Sequence, residues 1–327
     1  MKKMLWMQAR NRFVALIAAA LAAPAAMAQG FPSKPIRIVV PFAAGGAVDV
    51  VSRTVGQRMS EQMKSPVVVD NRPGANANLG ADLVAKAAPD GYTLLMGANG
   101  LATNVSLFQN LPFDARRDFT PVGRVGYAPL VLVVAPASPA KALTGLIALA
   151  KAQPGSLNYG SAGNGSSQHL ATELLRLQTK IDVVHVPYKG GAPAITDLIG
   201  GRIAFMITNP VEVAANIKAQ RLRALAVASP KRIAMLPEVP TFAEAGVPGY
   251  EASVWWGLFA PAKTPKEAVA RLSAEMQKAL EDAGVSEKLS ALGAVVDPLG
   301  PDPFDNFFRA EIEKWAQVIK TSAIHAD

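Results

Sequence analysis

One local pattern occurs twice in this chain and limits its fold more than any other: a short strand, a glycine-bearing turn, and the start of a helix. In the first copy, Ile36-Arg37-Ile38-Val39-Val40 is a β-branched, mostly apolar run of the kind buried on both faces of a sheet. Pro41-Phe42-Ala43-Ala44-Gly45-Gly46 makes the turn. Val48, Val51, Val55 and Met59 then recur at helical spacing, with Asp49 in the first turn. The free N–H groups of a first helical turn point outward and the helix dipole adds partial positive charge, which together make an anion site. A tight turn in any α/β protein looks similar, so one copy decides little. The second copy runs from Leu157 to Leu170. A brief strand, Leu157-Asn158-Tyr159, enters the loop Gly160-Ser161-Ala162-Gly163-Asn164-Gly165-Ser166-Ser167, and a helix leaves it with Leu170, Leu174 and Leu177 on one face. Ser166 or Ser167 is a natural N-cap. The loop offers hydroxyls and exposed N–H groups, which is equipment for a carboxylate or phosphate.

Between and after these copies the strand–helix rhythm continues. Val67-Val68-Val69 predicts a strand, 70–78 a loop, and Leu79 to Ala88 a helix. Tyr92 to Met96 predicts the next strand, followed by a loop from Gly97 to Asn104 that includes Asn99. Val122 to Ala135 reads as one strand-like run at which the chain crosses to a second domain, and it crosses back near Trp255-Trp256. Helices are expected over Leu143 to Gln153 and from Pro193 through Ile199, and strands over Ile181 to Val186, Ile203 to Ile207 and Arg223 to Val227. Thr264-Pro265-Lys266-Glu267 reads as a capping box. Phe304, Phe308, Ile312, Trp315 and Ile319 line one face of a final helix. Alternation of this kind implies an α/β fold with parallel sheets, whose ligands sit beyond the carboxyl ends of the strands. Tyr188 and Lys189 follow one such strand and Thr208 and Asn209 another, so both pairs are candidates for the cleft edge.

Composition narrows the function. Lys2, Lys3, Arg10 and Arg12 precede an apolar run from Phe13 to Ala23, and Ala26-Met27-Ala28 is a small-x-small cleavage signal: residues 1–28 read as a secretory signal peptide, and the protein is expected to be periplasmic. Removing those four from the 33 basic residues leaves 29 against 25 acidic, a charge of +4. There is no basic run interleaved with aromatics, which argues against nucleic acid. With no cysteine, disulfides and thiolate chemistry are excluded. Three scattered histidines give no metal spacing, and no cofactor motif is present. Gly165-Ser166-Ser167-Gln168-His169 only faintly echoes a nucleophile elbow. The true pattern ends in glycine and needs a base, and only His185, in a strand, and His325, in the tail, remain. The chain therefore reads as no enzyme, and His169 as a first-turn residue or a donor at the ligand's edge.

The ordered landmarks resemble the Bug-type solute receptors of tripartite tricarboxylate transporters over nearly the whole mature chain. They are Pro35-Ile36-Arg37, Val40-Pro41-Phe42, Gly45-Gly46 through Asp49, Asn71-Arg72-Pro73-Gly74-Ala75 and Pro89-Asp90-Gly91-Tyr92. Further along come Gly160-Ser161-Ala162-Gly163, Gly165-Ser166, Val186-Pro187-Tyr188-Lys189-Gly190, Leu236-Pro237-Glu238-Val239-Pro240-Thr241, Glu244-Ala245-Gly246 and Trp255 with Gly257-Leu258. The resemblance implies a two-lobed periplasmic binding-protein (Venus flytrap) architecture, each lobe a mainly parallel sheet flanked by helices. Lobe one would be 30–130 plus 254–327, and lobe two 131–253. It implies a monomer that binds a small organic carboxylate and hands it to membrane permease subunits; the sensory partner of a two-component histidine kinase is the alternative. By the same resemblance the two glycine loops are jaws that share one carboxylate, Phe42 lies against the ligand body, and Asp49 steadies the first jaw or meets a ligand amino group. Thr208 stands where relatives often carry Asp, and 97–104 lacks the usual His-Ala-Ile-Asn-Pro, so these two segments bear on ligand identity.

Overall fold

The computed structural model describes residues 31–188 and 190–325; the expected signal peptide and Lys189 lie outside them. The first half runs β1 (Ile36–Val40), α1 (Ala47–Met63), β2 (Val67–Asn71), α2 (Asn78–Ala85), β3 (Thr93–Gly97), α3 (Asn99–Leu107), β4 (Phe119–Pro129), β5 (Val131–Val134), α4 (Leu143–Ala152) and β6 (Asn158–Ser161). Then follow α5 (Ser167–Thr179), β7 (Val184–Pro187), α6 (Gly191–Ile199), β8 (Phe205–Thr208), α7 (Pro210–Lys218) and β9 (Arg223–Val227). The chain ends with β10 (Ser253–Pro261), α8 (Lys266–Leu280), α9 (Ala283–Ser290), β11 (Val295–Leu299) and α10 (Pro301–Thr321).

These strands form two sheets, ordered β11-β4-β10-β3-β1-β2 and β7-β6-β8-β5-β9. Both are mixed, where mainly parallel sheets were expected. β1 runs parallel to β2 and β3, and β6 to β7 and β8. β4, β10 and β11 are antiparallel additions to the first sheet, and β5 to the second. The physical reason is the crossing. The 122–135 run is broken at Leu130, so that β4 ends one sheet and β5 begins the other almost without a turn. A strand that passes straight between sheets enters the second against the direction of its βα units. The crossing is tied: Leu130 N–H donates to Ala252 O at 2.9 Å, and Ala228 N–H donates to Leu130 O at 2.8 Å.

Apolar faces seat the helices. β1 and α1 bury Ile36, Ile38, Val51, Val55 and Met59 completely, as the period change requires. The segment 99–104, read as a loop, is instead the start of α3, whose Leu101, Ala102 and Leu107 are buried. Thr264 is no capping-box residue. α8 begins after Pro265 without a side-chain cap, and Thr264 Oγ1 donates backwards to Pro261 O at 2.8 Å. The last helix serves both sheets: Phe304, Phe308 and Ile312 pack with Trp255 and Phe259 of β10, while Trp315, Val318 and Ile319 pack with Tyr159, Leu170 and Phe205. Phe304 reaches so close to β10 that a Cβ on Gly257 would lie 2.2 Å from its ring. Gly257→Ala is therefore expected to lower stability by about 3 kcal/mol, at the upper end of overpacking effects, read as a reduced urea midpoint with an unchanged m-value.

Candidate functional site

The turn after β1 is held from below. Asp49, buried in the first turn of α1, accepts from Gly45 N–H at 2.9 Å, Arg53 Nε at 3.0 Å and Asn71 Nδ2 at 2.9 Å. Asn71 Nδ2 also donates to Phe42 O at 3.1 Å. Burial pulls the Asp49 carboxyl upward, but Arg53, the Gly45 amide and Asn71 outweigh it and hold it below the usual carboxylate range. With Asp49 occupied underneath, Ala43, Ala44, Gly45 and Gly46 form the exposed tip, Pro41 is buried at its base, and Phe42 turns into the space between the sheets.

The turn after β6 is wired in the same manner. Ser166 caps α5, accepting from His169 N–H at 3.3 Å. Ala162 N–H donates to Gln168 Oε1 at 3.3 Å, Gly163 N–H to Ser161 Oγ at 3.1 Å and Gly165 N–H to His169 Nδ1 at 3.1 Å. Gly165 has φ +70°, and a Cβ there would sit 2.8 Å from Leu107 of α3, so only glycine lets this loop approach the opposite sheet's helices.

Between the two turns lies a cavity of about 250 Å³. Phe42, Val48, Ala98, Asn99 and Gly100 wall it from the first sheet, with Asn76 and Thr103 beside them. Gly165, Ser166, Ser167, Gln168 and Leu170 wall it from the second, and Val254 and Trp315 close it between the sheets. The starts of α1, α3 and α5 thus all meet one space. No described lining residue carries a formal charge. The arrangement can accept an anion through N-terminal dipoles and neutral donors, with apolar contact for its body.

Of the candidates from the sequence, the cavity brings together Phe42, Asn99, Gly165, Ser166 and Ser167. Asn99 spends its side chain on the crossing strand, donating to Ser253 O at 2.8 Å and accepting from Trp255 N–H at 3.0 Å, which fixes the start of α3. Lys189 lies outside the described residues, and five other candidates spend their side chains on protein partners. Ser161 is fully buried beside His185, His169 faces the Gly165 amide, and the Tyr188 hydroxyl donates to Asp197 Oδ2 at 2.8 Å. Thr208 is fully buried and donates to Glu212 Oε2 at 2.5 Å, and Asn209 caps α7 through Val211 N–H at 3.1 Å. Sequence reading missed Asn76, Thr103, Gln168 and Trp315. Asn76 sits in a run of three left-handed residues, Ala75 to Ala77, clasped by Asn104, whose amide donates to Asn76 O and Asn78 Oδ1 at 2.8 and 2.7 Å. The dense asparagines of 76–78 were the one available signal for it.

A family model described as tripartite tricarboxylate transporter family receptor matches residues 51–324. The chain belongs to this receptor family. These are solute-binding receptors and not enzymes. The receptor is 42% identical over 322 residues to the UPF0065 protein in the tcbD-tcbE intergenic region of Pseudomonas sp. (strain P51), covering 97% of this chain and 96% of that one. It is 40% identical over 304 residues to Protein BugT of Bordetella pertussis (strain Tohama I), covering 92% and 93%. Among solved structures, R. palustris Rpa4515 with adipate superposes with TM-score 0.77 at 37% identity, covering 90% of this receptor and 99% of that chain. MatC (Rpa3494) from Rhodopseudomonas palustris with bound malate gives 0.72 at 34%, covering 88% and 100%. Both neighbours share the two-lobed binding-protein fold.

In this receptor Asp49→Ala strands the Gly45 amide, Asn71 and Arg53, and is expected to cost about 2–3 kcal/mol at pH 7. Because the folded carboxyl titrates below its unfolded value of 3.8, that stabilisation is present above pH 3.8 and is lost as pH falls through the folded value. Urea titrations of wild type and variant should therefore converge as pH falls from 3.8 through the folded value.

Proposed function

We propose that this receptor works in the periplasm, where it binds one small organic carboxylate between two lobes and delivers it to a tripartite tricarboxylate-type membrane transporter. The observation that carries the reading is the cavity faced by three helix starts and by no described charged side chain. A carboxylate is the small group such a wall favours, because dipoles and hydroxyls compensate one negative charge without a counter-ion. Phe42, Leu170 and Trp315 supply contact for the rest of the molecule. The carboxylates named with Rpa4515 and MatC, adipate and malate, are of this class.

In this reading 1–28 direct export, lobe one is 30–130 plus 254–327 and lobe two is 131–253, with α10 packed against both. Ser166, Ser167 and the amides at the start of α5 form one jaw, and Phe42 with the Asp49-braced turn forms the other. The lobes move about the Leu130 and Ala252 crossing, as hinged binding proteins do.

The test is a thermal-shift screen of mono-, di- and tricarboxylates, aromatic acids and amino acids. A ligand at one hundred times its Kd should stabilise the fold by about 2.7 kcal/mol, a rise of several degrees. Ser167→Trp, which fills the cavity from a half-buried first-turn position, should abolish the rise while leaving the unliganded Tm within a few degrees. A screen in which no carboxylate raises the Tm overturns the proposal.

A further inference from the structure

Two of the three histidines meet behind the second jaw. His169, in the first turn of α5, and His185, on β7, stack with ring centroids 3.8 Å apart and planes 16° from parallel. The Tyr159 ring of β6 continues the stack 4.9 Å from His185. The parallel register of β6 and β7, which sets Tyr159 beside His185, brings them together.

Each imidazole holds one end of the same loop. His185 Nε2 lies 2.6 Å from Ser161 Oγ where β6 ends, and that hydroxyl in turn accepts from Gly163 N–H at 3.1 Å. His169 Nδ1 accepts Gly165 N–H at 3.1 Å where the loop enters α5. An imidazole nitrogen accepts only while it is unprotonated. A proton added at His169 Nδ1 would face the Gly165 N–H and break that tie. A charge on either ring would also lie 3.8 Å from its stacked partner.

The surroundings favour two neutral rings. The Glu173 carboxylate, which could compensate a charge, is already engaged by the Tyr159 hydroxyl at 2.8 Å and Arg176 Nε at 2.8 Å. Arg176 itself is a nearby cation, and the group reaching in from the end of α10 is the Ser322 hydroxyl. Phe205 of β8 adds only apolar surface. Burial and then His169 lower His185 to about 4, and burial lowers His169 from its ordinary 6.5.

We propose that His169 and His185 are positioning residues for ligand capture: a neutral, stacked pair that holds the 161–165 jaw in its binding shape and loosens it when a proton on His169 breaks the tie to Gly165. This rests on the receptor reading above. It adds that affinity falls on acidification within the window between an ordinary histidine and the folded pair. The sign follows from linkage: the held loop disfavours the extra proton, so protons and ligand compete.

The experiment measures affinity by calorimetry between pH 7.5 and 5 for the carboxylates of the screen, in wild type, His169→Gln and His185→Asn. Glutamine keeps an acceptor for Gly165, and asparagine keeps a partner for Ser161, but neither titrates. Taking the ratio of wild type to variant at each pH removes the probe's own titration. Wild type is expected to lose affinity more steeply than either variant as pH falls toward 5, in proportion to the unliganded rings that take up a proton. Superimposable profiles overturn the proposal and leave the receptor reading standing; no binding by any carboxylate at any pH overturns both. Should either variant fail to fold, ring nitrogen shifts of the wild-type histidines decide. Rings that take up a proton at lower pH in the liganded than in the unliganded protein support the proposal, and identical titrations overturn it.

Discussion

On the proposed reading, negative charge held without a positive side chain is the constraint on which this molecule is arranged. One helix start contributes on the order of 0.3–1 kcal/mol to an anion and up to ~2 kcal/mol where partly buried, so a single βα turn would hold a carboxylate weakly. Three starts aimed at one gap change that. They must come from different places in the chain, because each strand end supplies only one. Putting α1 and α3 opposite α5 requires two sheets whose strand ends face each other, and so requires a chain that crosses from one to the other. Each turn must also keep its shape unliganded, which explains the wiring beneath it. Asp49 holds Gly45, Gln168 holds Ala162, Ser161 holds Gly163 and His169 holds Gly165. The energy of ordering these loops is met at folding and not at binding, which is how a preorganised site gains affinity.

The crossing and α10 bound what motion is available. Leu130, Ala228 and Ala252 join the two crossing segments through backbone bonds, and the proposed hinge turns about them. A helix of 21 residues packs its first turns on one core and its last on the other, with Glu311 and Trp315 at the transition. The Glu311 carboxylate accepts from Trp255 Nε1 at 3.2 Å and from Trp315 Nε1 at 2.8 Å, so a strand of the first sheet and the wall of the cavity share one acceptor. An indole N–H left unpaired in such a place costs about 1–3 kcal/mol, which makes this joint stiff. In the proposed hinge motion, opening then preserves the joint, twisting the sheets about it and not peeling α10 from either.

Much of the fold was legible because strand and helix write different periods. The switch from Ile36–Val40 to Val48, Val51, Val55 and Met59 was visible in letters alone, as was a serine cap at 166 or 167, which the structure resolves to Ser166. What stayed hidden was whatever depends on a partner distant in sequence. The apolar stretch through Leu130 carries no mark of its break, since a residue joining two sheets is as apolar as one inside either. Asn99 to Leu107 is polar enough to read as loop until Leu101 and Leu107 find cores to bury in. Much of the cavity was missed for the same reason: Asn76, Thr103, Gln168 and Trp315 come from four separate parts of the chain and have no common spacing. His185 looked like one more strand residue. Only the β6–β7 register sets it against His169, sixteen positions earlier.

The departure at Thr208 acts through the wall and not from inside the cavity. Gln168 faces the ligand space, yet its amide oxygen accepts the Ala162 N–H and its nitrogen donates to Thr208 Oγ1 at 3.3 Å. Thr208 passes the chain on to Glu212, whose carboxylate accepts at 2.5 Å. A hydroxyl is suited to the middle of such a relay because it accepts on one side and donates on the other. An aspartate at 208 would accept from Gln168 equally well but would face the Glu212 carboxylate at hydrogen-bond distance with no proton to share, and like charges so placed repel. Thr208 and Glu212 therefore belong together as a pair. Their joint effect is to fix which end of the Gln168 amide points at the Ala162 jaw and how much of it remains for a guest.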